Sequence, residues 1–339
     1  MQYSSDESDT SDLCDEDSVD DSDGEYEQSC FASSNLNIAA DFSAKLFSSK
    51  CIPRSAVTGI LRDTSDLFNS ILNNLKSEIM QNMPKNKASG DCISKVDAIF
   101  ETYRNPLKSF DSEQKCLKFF KKCDTYVPPE SYVIGERRDF KKEDGEMKLV
   151  HVPVTIQFIS ISRVLKKFLE LPGLFNRMME YLKDRLNDKV FITNLVQGDL
   201  LKDLPLIGPD RIMIPLTIAF DEYEPNNPLG PHRGISKCGA MYVSIPCLPP
   251  EYQSKVENIF LLLLFNSLDR VVYSNKIVFT KAIEELNLLY TEGIILDLPS
   301  GPKRVVFKVT NLVGDNLGIH QILNITPPAS VFIKQFNQQ

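Results

Sequence analysis

Acid is missing from the last 24 residues of this 339-residue chain: no aspartate or glutamate follows Asp315. Base is missing from the first 44, where 13 Asp/Glu meet no Lys or Arg. Tryptophan is absent, none of the 8 cysteines forms a Cys-x-x-Cys pair, and the 3 histidines lie far apart. Each absence excludes something. Without clustered Cys and His, a structural zinc site has no supporting spacing. The strongest apolar run, Ile259-Phe-Leu-Leu-Leu-Leu-Phe265, is far below the ~20 residues that cross a bilayer, so no membrane partner is expected. Met1-Gln-Tyr-Ser-Ser-Asp has neither a basic n-region nor an apolar core, so no secretory leader is expected. The thiols then belong to a reducing compartment, cytosol or nucleus.

Charge is distributed unevenly. Setting aside the 13 acids of residues 1–44 leaves 33 acidic against 38 basic residues, so the net −8 describes a tail and not the body. A mildly positive body with a negative arm is compatible with a polyanionic partner. Residues 1–35 are too poor in aliphatics to offset their ordering entropy, and 1–44 reads as a disordered acidic tail. Ser4, Ser5, Ser8, Ser11, Ser18 and Ser22 sit among acids, which suits acid-directed phosphorylation; a merely solvated tail is the plainer alternative.

A helical arm is expected over 45–125. Val57, Ile60/Leu61, Leu67/Phe68, Ile71/Leu72, Leu75 and Ile79 recur at the 3.6 period, with Ser55 as the expected N-cap after Pro53. Shorter helices are expected near 94–103 and 112–123. Such a module could read DNA, but helical periodicity reports burial and not ligand, and a bundle that only packs or pairs with a partner is the plainer reading. Residues 126–205 read as a mixed α/β region: Arg137-Arg-Asp-Phe-Lys-Lys142 as a basic loop, Leu149–Ile156 as a strand, and helices near 160–170 and 173–186.

From 206 to 339 the pattern changes. Arg211-Ile-Met-Ile-Pro-Leu-Thr-Ile-Ala-Phe220 has the near-continuous apolar character of a strand buried on both faces. Gly239–Ile245 and Ile259–Phe265 follow as strands. Next comes a helix over Lys281–Tyr290 ending at Gly293, and then a strand at Arg304–Thr310 leading to Asp315. Strand, strand, strand, helix, strand is the element order of the RNase H-like fold. In that fold the first and fourth strands are neighbours, so Asp221 and Asp315 are expected to converge. Paired carboxylates of this kind suit Mg²⁺ or Mn²⁺.

The local sequence adds a resemblance. Phe220-Asp-Glu-Tyr-Glu-Pro-Asn-Asn-Pro-Leu-Gly230, followed by Lys237-Cys-Gly-Ala-Met-Tyr-Val-Ser-Ile-Pro-Cys-Leu-Pro-Pro250, resembles a block of transposase-derived proteins related to CACTA-type (En/Spm-like) DNA transposons. Glu257–Ser267, Ile283–Gly293 and Gly314–His320 extend the likeness over roughly 205–330. The resemblance implies a partial RNase H-like α/β domain and a DDE/D transposase, an enzyme that cuts and rejoins DNA with two metal ions. Asp221 would be the first carboxylate and Asp315 the second, both as metal ligands and catalytic residues. It also implies DNA as partner, self-association, a nuclear setting and no small-molecule substrate. The family's third acid lies well beyond the second, past a Cys/His-containing insertion. Since no acid follows Asp315, the expectation is a truncated core with little or no cleavage. The alternative is a non-catalytic nuclear factor that binds DNA or protein. Glu222 and Glu224 are expected to face solvent beside the site, Asn227–Gly230 to be a turn, and His232 and His320 to be turn residues. Gly314–Gly318 lacks the Lys-Ser/Thr ending of a phosphate loop.

Overall fold

A computed structural model describes residues 30–323 except 85–89, 144, 189, 203, 209–210, 226–236 and 254. The chain divides into two compact units, Met1–Phe119 and Phe120–Gln339. The serines of the acidic tail, Asn227–Gly230 and His232 lie outside the described residues.

The first unit is helical: α1 (Cys30–Ser48), α2 (Arg54–Asn82), α3 (Gly90–Tyr103) and α4 (Glu113–Lys122). Helix α1 overlaps the stretch expected to be disordered through residue 44. No acid stands between Glu27 and Asp41, and the helix buries Ala39 and, past Asp41, Ser43. The Ser43 hydroxyl donates back to the Ala39 carbonyl at 2.8 Å, so its polar group is satisfied inside the helix. Ser55 does not cap α2. The helix starts one residue earlier, with Pro53 at the cap (φ −59°) and no side-chain cap bond, since proline already fixes an entry-compatible φ. The periodic stripe of α2 is only half used: Val57 and Leu61 are buried, whereas Leu67, Ile71 and Leu75 stay exposed.

The second unit contains β1 (Glu130–Glu143), β2 (Glu146–Phe158), α5 (Ile161–Leu169), α6 (Leu174–Asn187), α7 (Asp199–Lys202), β3 (Ile212–Tyr223), β4 (Cys238–Ser244), β5 (Phe260–Asn266), α8 (Ser267–Thr291), β6 (Ile294–Leu298), β7 (Gly301–Gly314) and α9 (Asn316–Ile322). The strands form one mixed sheet in the order β1-β2-β5-β4-β3-β7-β6. Only β3 and β7 run parallel; every other pairing among the described residues is antiparallel. Strand β3 buries Met213, Ile214, Leu216, Ile218 and Phe220, as its apolar run requires. Phe220 stacks on Phe265 of β5 (6.2 Å), which meets Phe279 of α8 edge-on (5.6 Å). The α8 face of the sheet is therefore the one to which Phe220 points. No helix among the described residues is long and apolar enough to cross a membrane.

The structure corrects three expectations. Arg137–Lys142 is not a loop but part of β1, paired with β2 from Glu130 to Glu143 and turned at Gly145 (φ +85°). Charges on both faces of β1 hide the alternation a half-buried strand would show. Helix α8 starts at Ser267 and not near 281, because the Asn266 side chain accepts from Leu268 N at 2.9 Å and caps it. A non-helical Ser274 (φ 72°, ψ 155°) then breaks the 3.6 period, so the first part of α8 leaves no periodic trace. Finally, β6 stands between α8 and β7 and forms a hairpin with β7. It is too short to register in the sequence.

Helix α5 has no cap from its own sequence. Glu285 of α8 supplies one from a distance. Its carboxylate accepts from Ile161 N (2.9 Å) and Ser162 N (3.2 Å), and from the hydroxyls of Ser160 (2.7 Å) and Ser162 (2.6 Å). This ties the two helices together at the orphan amides of a helix start.

Candidate functional site

The parallel register of β3 and β7 puts Phe220 opposite Gly314. Asp221 and Asp315 each follow by one residue, so their backbones lie side by side at the strand ends, roughly 5 Å apart at strand spacing. The close approach depends on glycine: a Cβ at Gly314 would stand 3.0 Å from the Phe220 carbonyl oxygen. Both aspartates are exposed. Asp221 Oδ1 accepts from Glu222 N at 2.8 Å. Asp315 caps α9, with Oδ1 accepting from Gly318 N at 2.5 Å and its carbonyl from Ile319 N at 3.0 Å. Gly318 is required there too, since a Cβ would meet Asp315 Oδ1 at 2.7 Å and the Phe220 ring at 3.1 Å. Gly314–Gly318 is thus a strand end passing into a capped helix.

Tyr242 adjoins Asp221. Burial raises its phenol above the ordinary value, and the charges of Tyr223 and Asp221 add to the shift. Tyr242 pairs with Ala219, two residues before Asp221, which the antiparallel β3–β4 register makes its neighbour on one face. Nothing in the linear pattern singles it out.

Glu222 does not face solvent beside the pair, as the sequence suggested. Strand alternation turns it to the α8 face, where its side chain is 9% exposed between Lys237 Nζ (2.6 Å) and Arg270 Nη2 (3.5 Å). A carboxylate this buried persists only when paired. Asp269, next to Arg270 in α8, is buried as well. Burial raises its carboxyl above the ordinary range, partly opposed by Arg137. Sequence reasoning misses Arg270 and Asp269 because it misses the first part of α8.

The chemistry open to the pair follows from this layout. Each aspartate spends one oxygen on a backbone amide and keeps the other. Two hard oxygen donors on adjacent strand ends suit one Mg²⁺ or Mn²⁺ ion and not a soft metal. Among the described residues no group of three or more His, Cys, Asp or Glu could hold a metal. Glu222 points to the face opposite Asp221 by strand alternation and is committed to two cations there. His320 sits on α9, and nothing brings it to the pair as a ligand. The chain matches no protein-family model, and no curated protein matches it significantly.

Proposed function

We propose that the second unit is an RNase H-like scaffold related to the DDE/D transposases, in which Asp221 and Asp315 hold a single divalent cation and phosphodiester cleavage is weak or absent. The parallel β3–β7 ladder carries this proposal: β5-β4-β3-β7 has the order third-second-first-fourth, with the first and fourth strands parallel. A bound ion would polarise a phosphoryl oxygen. In support, strand register brings the two backbones side by side, and the α9 cap holds the Asp315 carboxylate. The hairpin β6–β7 and the added β1–β2 pair distinguish this sheet from a bare core of that order.

A second reading, a nucleic-acid- or protein-binding factor without catalysis, is favoured by one observation. Glu222, the carboxylate that follows Asp221 in the chain, is paired with Lys237 and Arg270 and does not complete the set.

Calorimetric titration with Mn²⁺ and Mg²⁺ tests the site. The expected affinity is on the order of millimolar, as for carboxylate sites with few protein ligands. Asp221→Asn should abolish binding. Asp315→Asn should do the same without unfolding α9, because asparagine is an equally good N-cap. Unchanged metal affinity in both variants refutes the proposal. A nicking assay on supercoiled DNA then separates the two readings: metal-dependent nicking lost with Asp221→Asn favours the enzyme, and metal binding without nicking favours the binder.

A further inference from the structure

At the other end of β3 and β7 the charge reverses. A groove of about 500 Å³ between α6 and the starts of these strands is lined by Lys183, Arg211, Lys303 and Arg304 around Phe175, with Glu180 the sole described acid among its lining residues. Arg211 stands beside Arg304 because Ile212 and Val305 are register partners. From Arg211 to Asp221 is ten strand residues, roughly 33 Å at strand rise. The groove is therefore separate from the aspartate pair.

The two arginines are pre-positioned. Arg211 Nη2 donates to the Tyr290 carbonyl at 2.8 Å, and Arg304 Nε donates to the Glu292 carbonyl at 2.7 Å, both at the C-terminal end of α8. Helix capping uses one N–H of each guanidinium; the other donors remain in a planar fork suited to phosphate oxygens. The Arg211 guanidinium also lies 5.8 Å from the Tyr290 ring centre, and Lys303 Nζ lies 5.9 Å from that of Phe175. Among the described residues none of the four cations is in an ion pair with a carboxylate. Asp210 precedes Arg211 and lies outside the described residues. Even counting it, cations outnumber acids four to two. Four cations held together with fewer acids among them repel one another, and an anion of several charges in a row relieves that repulsion.

We propose that this groove binds a run of phosphates, as found in a nucleic-acid backbone or in the polyphosphate of a free nucleotide. Phe175, 2% exposed, forms its floor and is not a stacking platform, so recognition is of charge and spacing, not of a base. The inference does not depend on the metal site, and its test is run in EDTA so that the two can fail separately.

The test uses the full chain and a fluorescein-labelled 12-nucleotide single-stranded DNA, with anisotropy read between 50 and 200 mM salt. Inorganic tripolyphosphate and ATP serve as competitors. The variant is Lys183→Gln/Lys303→Gln, which leaves both α8-capping arginines in place. Each phosphate that a missing lysine leaves unneutralised should lower the slope of log K against log salt by about 0.7, so the double variant should lose about 1.4. Loss of that slope, with weaker binding at 50 mM salt, supports a backbone site. If DNA binds without sensitivity to the two lysines, but tripolyphosphate and ATP bind and lose affinity in the variant, the phosphates come from a free nucleotide. If neither ligand responds to the substitutions, the proposal is wrong.

Discussion

Removing the remote cap of α5 offers the sharpest test of how the second unit is held together. Glu285→Ala deletes a carboxylate that accepts two backbone and two hydroxyl hydrogen bonds at the start of a helix with no cap of its own. Losing an ordinary N-cap costs about 1 kcal/mol. Loss of negative charge at the helix start adds about 0.5 kcal/mol. The two hydroxyls are half-buried at Ser160 and Ser162 and can turn to water in part, so they add about 1 kcal/mol between them. The sum is about 2.5 kcal/mol. For a unit of this size that lowers the melting temperature by about 5–10 °C. Glu285→Gln keeps one acceptor oxygen and should lose about half as much. Urea unfolding followed by far-UV circular dichroism, with the transition of the second unit fitted separately, reads both variants. Destabilisation below about 0.5 kcal/mol in Glu285→Ala would mean that water replaces the carboxylate without cost and that the α5–α8 tie is ornamental.

Other outcomes follow from the same structure. Arg270→Ala leaves Glu222 buried with Lys237 alone and should cost about 3 kcal/mol in the same assay; Arg270→Met together with Glu222→Leu should recover much of it. Asp269 has a folded-state carboxyl raised by burial, so its stabilising contribution is present at low pH and is lost as pH rises through the raised value. Asp269→Asn should therefore be more stable than the parent at pH 7, and the advantage should vanish once pH falls below the ordinary 3.8; an advantage independent of pH contradicts the burial account. Exposed Cys51 and Cys123 should react with a thiol reagent at pH 8 in the folded chain. Buried Cys247, its thiol pushed up to about 12, and Cys116, at about 11, should react only after denaturant is added, as peptide mapping by mass spectrometry would show.

What could be read from the chain depended on whether one element sufficed to make the signal. The apolar run 211–220 needs no partner to be recognised, and β3 covers it almost residue for residue. Helix α2 and the later half of α8 carry their own 3.6 period, and Gly293 closes α8 at φ +71° as its position suggested. That the strands ending at Asp221 and Asp315 are neighbours was expected only through the likeness of the element order to a known fold, and no residue in either strand announces the β3–β7 pairing. Features that need two segments were not. Strand β1 exists because β2 pairs with it along thirteen residues, and its own charges conceal it. The N-terminal turns of α8 are fixed by Asn266 and interrupted at Ser274, so periodicity fails there. The fate of Glu222 turned on alternation: one residue separates a solvent-facing carboxylate from one locked behind the sheet. The cationic groove gathers residues from near positions 183, 211 and 303, which no linear window holds together.

The β3–β7 ladder also sets an order of events during folding. Its first partners, Ile212 and Val305, are 93 positions apart, and β4, β5, α8 and β6 lie between them. A parallel pair cannot close until the intervening chain has found its place, and the loop entropy must be met before the ladder contributes anything. The antiparallel meander β3–β4–β5 can assemble from nearby contacts, whereas the two aspartates become neighbours only when β7 docks. A lesion that slows the docking of α8 would delay β7 as well, and the strand ends at Asp221 and Asp315 would stay apart while the β3–β4–β5 meander is already formed.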